Sequence, residues 1–242
     1  MHGAIKLSLA ALVLCASTAQ ARTASQTMCV FDLLGTSGEM YALMRDYALA
    51  SRNWGANLQL RAYTNERVAT EDFKAGQCDA VFLTGIRGRQ FNHFTGSIDA
   101  FGAVPSSATA RTVLRLMARP QLAKDMVQGN YEIAGVLSFG SAYLMVRDRT
   151  VDSLTKMAGK KIAVLEHDQS QMYMAQRHGL QPVMAEVHTF GGMFNNGQVE
   201  LIGAPAMAFK AMELHRGLGA NGGVGRFPLL HVSTNIRSLA KV

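Results

Sequence analysis

The stretch CVFDLLGTSGEMYALMRDYA, Cys29 to Ala48, decides how this chain is read. An apolar run stops at Gly35, crosses Thr36-Ser37-Gly38 and continues as Met40, Leu43, Met44, Tyr47 and Ala48, the spacing of one helix face. The order is strand, glycine turn, helix. Such a turn aims backbone N–H groups at whatever lies above it, often an anion. Gly35, Thr36, Ser37 and Gly38 are therefore the first candidates for ligand contact, beside the plainer reading of a tight turn with Ser37 as helix cap. G-x-x-x-x-G-K-[ST] and G-x-G-x-x-G are both absent, which argues against a nucleotide loop.

Working outward, the same rhythm continues. LQLRAY (58–63) alternates as a strand, ERVATEDFKAG reads as a helix stopped by Gly76, and CDAVFLTG (78–85) is an apolar run suited to a central parallel strand. A helix is expected near 109–128, capped by Ser106 or Ser107 and broken at Pro120, followed by a strand-rich stretch at 132–147. A second β-α-β-α-β run follows, with strands at 161–165, in QPVMAEV and in VELIGAPA. Gly76-Gln77-Cys78-Asp79 and Gly197-Gln198-Val199-Glu200 stand at equivalent places in the two runs, each a glycine stop, an acid and a buried strand. The pattern predicts an α/β protein of two lobes with parallel-rich sheets: lobe 1 over 22–146, a hinge at 147–153, lobe 2 over 154–230 and a tail at 231–242. Ligands of such sheets sit beyond the carboxyl ends of the strands, which places the site in the cleft.

The N-terminal segment points to export. Lys6 precedes LSLAALVLCASTAQA, which ends in Ala19-Gln20-Ala21. A basic start, a short apolar core and an A-x-A site predict a signal peptide over 1–21, cleaved after Ala21, and a periplasmic location. Cys15 would leave with it. Cys29 and Cys78 remain, an even pair in an oxidising compartment, so a disulfide is expected. If the first and third strands are parallel neighbours, about 4.8 Å apart, both cysteines open their strands at one sheet edge, within bridging range and opposite the ligand end.

The net charge of +7 is scattered; RGLGANGGVGR and GIRGRQ are the densest spots. No basic stripe with interleaved aromatics appears, so a nucleic-acid partner is not expected. A hydrophobic content of 48% is ordinary for a globular chain, and the 14 methionines read as core filling.

Further cleft candidates lie at strand ends. Thr84, Gly85 and Arg87, with Arg89 behind them, end the third strand, and an arginine there could meet a negative ligand group. Phe139 and Ser141, with Tyr143, fall where a cleft floor is expected. Glu166, His167 and Asp168 follow the first strand of the second run and suit a cationic or polyhydroxylated solute, while Pro205 closes the third. No second His or Cys stands at ligand spacing near His167. With no G-x-S-x-G and no H-E-x-x-H motif, no catalytic residue, metal or cofactor is expected.

DSLTKMAGKKIAVLE, HGLQPVMAEV and NNGQVELIGAPAMAF resemble the second lobe of TRAP-type (DctP-like) periplasmic receptors. FDLLGTSGEMYALMRDYALA, the segment YTNERVATEDFKAGQCDAVFLTGIRGRQFNHFTGSIDAFGAVPS and GKKIAVLEHDQSQMYMAQ more closely resemble the AdeT-like solute-binding proteins, over most of 28–230. The resemblance implies a type II periplasmic-binding-protein fold, a monomer that captures a small polar solute, and an inner-membrane permease as partner. It also carries a second reading, an accessory of RND-type efflux or a drug-binding protein of aminoglycoside resistance. Two departures stand out. TRAP receptors place a carboxylate-clamping arginine in the strand after the Gly-Lys turn, where this chain has Ala163. Such receptors also continue beyond the return strand that FPLLHVSTNIRSLAKV begins, so a C-terminally truncated second lobe is expected, with a non-binding family member as a third reading.

Overall fold

The computed structural model describes residues 25–100, 102–225 and 233–241. The expected signal peptide and its cleavage site lie outside these residues.

The first half runs β1 (Ser25–Phe31), α1 (Glu39–Ser51), β2 (Asn57–Tyr63), α2 (Glu66–Lys74) and β3 (Ala80–Thr84). Short helices α3 (Gly85–Gly88) and α4 (His93–Gly96) lead to α5 (Ser107–Met117), then to β4 (Val127–Gln128) and the long β5 (Tyr131–Val146). The second half runs α6 (Leu154–Met157), β6 (Lys161–Leu165), α7 (Gln169–Arg177), β7 (Gln181–Ala185), α8 (Phe190–Asn195) and β8 (Leu201–Pro205). It ends with α9 (Ala208–Ala211), α10 (His215–Leu218) and β9 (Gly223–Gly225), and β10 (Ser233–Lys241) follows.

One sheet of 10 strands carries both halves, in the order β2-β1-β3-β10-β5-β8-β6-β7. The outer ends are parallel, β2-β1-β3 on one side and β8-β6-β7 on the other. The centre is antiparallel, because β10 runs against both β3 and β5, and β5 runs against β8. The segment expected as a C-terminal tail is thus the strand that joins the first half to β5. The crossing also lies earlier than the expected hinge at 147–153: β5 pairs with β10 up to Ser141 and with β8 from Ala142 onward.

The expected repeat has a mechanical meaning. Gly76 and Gly197 both take positive φ, 81° and 74°, as the left-handed residue after α2 and α8. The next amide closes the helix in each case: Gln77 donates to the Asp72 carbonyl and Gln198 to that of Met193. The acid two residues further on then clasps the start of the half's first strand. Asp79 accepts the Thr27 amide at 2.7 Å, and Glu200 accepts the Lys161 amide at 2.9 Å.

The helix expected near 109–128 is shorter. Ser106 caps α5 by accepting the Thr109 amide, and the helix stops at Met117 before Pro120, which opens a separate 3-10 turn. The largest buried cluster crosses both halves, from Phe73 and Leu83 to Phe194 and Ile202, and a second gathers Val146, Met157, Val164 and Leu201. Each large apolar side chain so buried contributes about 1.5–3 kcal/mol. Cys29 and Cys78 are disulfide-bonded, with Cα atoms 5.8 Å apart. Cys29 lies within β1 rather than at its start, and Cys78 precedes β3. The bond closes 49 residues of chain, worth about 4 kcal/mol on the chain-entropy estimate.

Candidate functional site

The carboxyl ends of β1, β3, β6 and β8 face one another around a cavity of about 900 Å³. The loop after β1 contributes Asp32 and Ser37, and the start of α1 contributes Glu39 and Met40; the end of β3, α3 and the residue after it contribute Thr84, Ile86 and Arg89. Phe139, Tyr143 and Leu144 of the crossing strand line it, as do Ala163 and Leu165 of β6. Asp168 and Met174, then Phe190, then Pro205 with the α9 region from Met207 to Glu213, complete the second-half side.

Of the residues singled out in the sequence, Ser37, Thr84, Arg89, Phe139, Tyr143, Asp168 and Pro205 line this cavity. Gly35, Thr36, Gly38, Gly85, Arg87, Ser141, Glu166 and His167 do not, and the reasons differ.

The glycine turn does not offer an anion cradle. Asp32, at the end of β1, turns back over it and accepts the amides of Leu34 (2.8 Å), Met40 (2.8 Å) and Tyr41 (3.1 Å). The start of α1 is therefore capped by Asp32 and not by Ser37, which makes no cap hydrogen bond. Gly35 to Ser37 form a 3-10 turn whose Gly35, Ser37 and Gly38 amides donate to Asp32, Leu34 and Gly35 carbonyls. Gly38 is needed for a different reason from its neighbours: a Cβ there would sit on the Asp32 carboxylate. Asp32 stands three residues before Gly35 and seven before the start of α1, so its capping role comes from the way the turn folds back and not from helix spacing.

Arg87 is committed behind the wall. It is buried, and its Nε donates to Glu66 Oε2 at 3.3 Å. Glu66, also buried, accepts the Thr84 amide at 2.6 Å. Burial pushes the Glu66 carboxyl up from its ordinary value, and the Thr84 and Arg87 contacts oppose that rise. From the same guanidinium Nη2 reaches Glu166 Oε1 of the second half at 3.4 Å.

That contact is one of three among the described residues in which a first-half cation meets a second-half carboxylate. Arg89 pairs with Asp168, and Arg67 Nε lies 3.1 Å from Glu186 Oε1, with Asn65 donating to the other oxygen at 3.0 Å. Desolvation pushes Glu186 upward, but the Arg67 and Asn65 hydrogen bonds outweigh it and hold the carboxyl below its ordinary value. Asp168 also caps α7, accepting the Ser170 and Gln171 amides at 3.0 and 3.1 Å. Between Glu166 and Asp168 the His167 ring is enclosed with neither nitrogen hydrogen-bonded. Burial first, then the charges of Arg87 and Arg89, push it down to about 3. Such an imidazole is neutral at any physiological pH. Among the described residues no group of three or more His, Cys, Asp or Glu side chains is placed to hold a metal ion.

Two β-α-β-α-β halves on a shared sheet, with a cavity between their strand ends, define the fold of a two-lobed solute-binding protein. Solved structures agree. A TRAP periplasmic solute binding protein from Desulfovibrio salexigens with bound orotic acid superposes with a TM-score of 0.72 at 11% identity, covering 90% of this chain and 69% of that one. One from Roseobacter denitrificans with bound beta-D-glucuronate gives 0.74 at 12% identity, over 90% and 72%. The chain belongs to the family described as solute-binding protein AdeT 1/2, which matches residues 48–240. It is 48% identical over 206 residues to the probable solute-binding protein AdeT1 of Acinetobacter baumannii, 85% of this chain and 68% of that protein.

Proposed function

We propose that this protein is a periplasmic receptor that captures a small solute between its halves and passes it to an inner-membrane permease, with no chemical turnover. The cavity of about 900 Å³ at the facing strand ends carries this reading, since it is of the size and placement of a small-molecule site. The ion pairs from Arg67, Arg87 and Arg89 to the second half support a closed arrangement held by charge. Opening about β5 and β10, the strands that link the halves, would release the solute, a hinge motion known for binding proteins of this kind. Ser37, Thr84, Phe139, Asp168 and Pro205 are the ligand-contact residues we assign, with Arg89 and Tyr143 added.

Thermal unfolding against a panel of organic acids, amino acids, sugars, polyamines and aminoglycosides tests the reading. A ligand at 100 times its Kd adds about 2.7 kcal/mol, a shift of roughly 5–11 °C for a chain of this size. A cooperative transition that no compound class moves would count against a receptor.

A further inference from the structure

Helix α2 mixes both signs of charge, with Arg67 paired to Glu186 and Lys74 to Glu71. Helix α5 carries one sign only. Its sequence, SATARTVLRLM, holds Arg111 and Arg115 and no acid, and Arg119 follows just past its cap. Residues spaced by four lie one turn apart on the same face, about 6 Å along the axis. Lys124 stands on the 3-10 turn that comes next. All four are exposed, and from Gly102 to Lys124 the chain has no Asp or Glu. None of the four forms an ion pair among the described residues. No side-chain carboxylate lies elsewhere to pair with them, because every Asp and Glu of the sequence is among those residues. The helix dipole accounts for Arg115, in the last turn, but not for Arg111 in the middle of the helix.

The other face of α5 belongs to the core. Ala110 and Met117 are buried with Ile98 and Val104, and Val113 and Leu114 pack against them. No described residue from 102 to 131 lines the cavity, so the basic row is separate from the solute site. A guanidinium forks onto phosphate oxygens in pairs, and each basic side chain close to an anionic leaflet adds to the attraction. A convex helix row makes such contact without a pocket, whereas a protein partner depends on anchors seated in pockets. We propose that Arg111, Arg115 and Arg119 form a docking face for an anionic phospholipid surface. This goes beyond the receptor reading and does not depend on it.

Sedimentation of the chain from Arg22 onward with lipid vesicles tests the docking face. Binding is expected to vesicles of equal parts phosphatidylglycerol and phosphatidylcholine, not to phosphatidylcholine alone, and it should weaken as salt is raised. The triple variant Arg111→Gln/Arg115→Gln/Arg119→Gln should lose at least about tenfold in vesicle affinity, with Tm unchanged because the three side chains are exposed. A second triple variant, Arg45→Gln/Arg52→Gln/Arg177→Gln, removes as many exposed charges elsewhere and should keep most of the binding. Equal losses in the two would assign the attraction to net charge and overturn the docking face. No binding to the anionic vesicles, or equal binding to both kinds, would overturn it as well. The solute panel is read separately, so either proposal can fail while the other stands.

Discussion

In the first half Asp79 clasps the amide of Thr27, and in the second Glu200 clasps that of Lys161. The acid after each half's first strand likewise caps the next helix, Asp32 on α1 and Asp168 on α7. Beyond that shared skeleton the halves part. The first is stapled by Cys29–Cys78 and holds a buried Glu66–Arg87 pair; the second closes its clasp with a half-buried lysine, Lys160, at 2.9 Å from Glu200. The charges also divide. Where the halves meet, the first presents Arg67, Arg87 and Arg89, and the second presents Glu186, Glu166 and Asp168. Backbone pairing repeats a plan within each half, while side-chain charge, different in each, relates the halves to each other.

The largest test of that difference is Arg87→Ala. It leaves Glu66 buried without its cation and should cost about 3–5 kcal/mol, read as a lower midpoint in denaturant. A loss below about 1 kcal/mol would mean that the pair behaves as a surface ion pair. Next is Asp32→Ala, which strips three amides of their acceptor; about 2 kcal/mol, the upper end for a helix cap, is expected. Asp79→Ala and Glu200→Ala then probe the shared plan. Each should cost about 1 kcal/mol, and the double variant should be additive, since distant sites do not couple. A strongly unequal pair would show that the repeat is one of sequence and not of mechanics.

A further test uses pH. The His167 value is depressed, so the folded ring is neutral while the unfolded ring takes up a proton below 6.5. Its contribution is intact above 6.5 and falls away as pH drops toward about 3. His167→Leu should flatten the dependence of Tm on pH over that window. An unchanged profile would place the acid sensitivity elsewhere, for instance at Glu186, whose depressed value gives stability present above the ordinary 4.5 and lost as pH falls through the folded value.

What could be read from the sequence was local. Helix stops at Gly76 and Gly197, the Ser106 cap, the Pro120 break and the acid after each glycine act within a few residues of themselves, and the fold follows them. The disulfide was also legible, though Cys29 stands further into its strand than expected. What escaped depends on partners far along the chain. Arg87 looked like a cleft arginine because nothing near it in sequence reveals Glu66 as its buried partner. Gly35 to Gly38 looked like an anion cradle because the spacing does not reveal that the Gly35, Ser37 and Gly38 amides are spent on carbonyls of the turn itself, while the Asp32 carboxylate takes those of Met40 and Tyr41 at the start of α1. β10 looked like a tail because its neighbours, β3 and β5, were fixed much earlier in the chain.

That placement of β10 has a consequence for how the molecule is made. Leu239 lies opposite Val81 on one side and Ile133 on the other. When a chain emerges from its N-terminus, β3 and β5 both wait for a spacer that arrives after every other strand described here. Until then β3 exposes an unpaired edge, the kind of edge that invites wrong partners. The first half is thus the earlier to be synthesised and the later to be sealed, and a chaperone would find its work at β3.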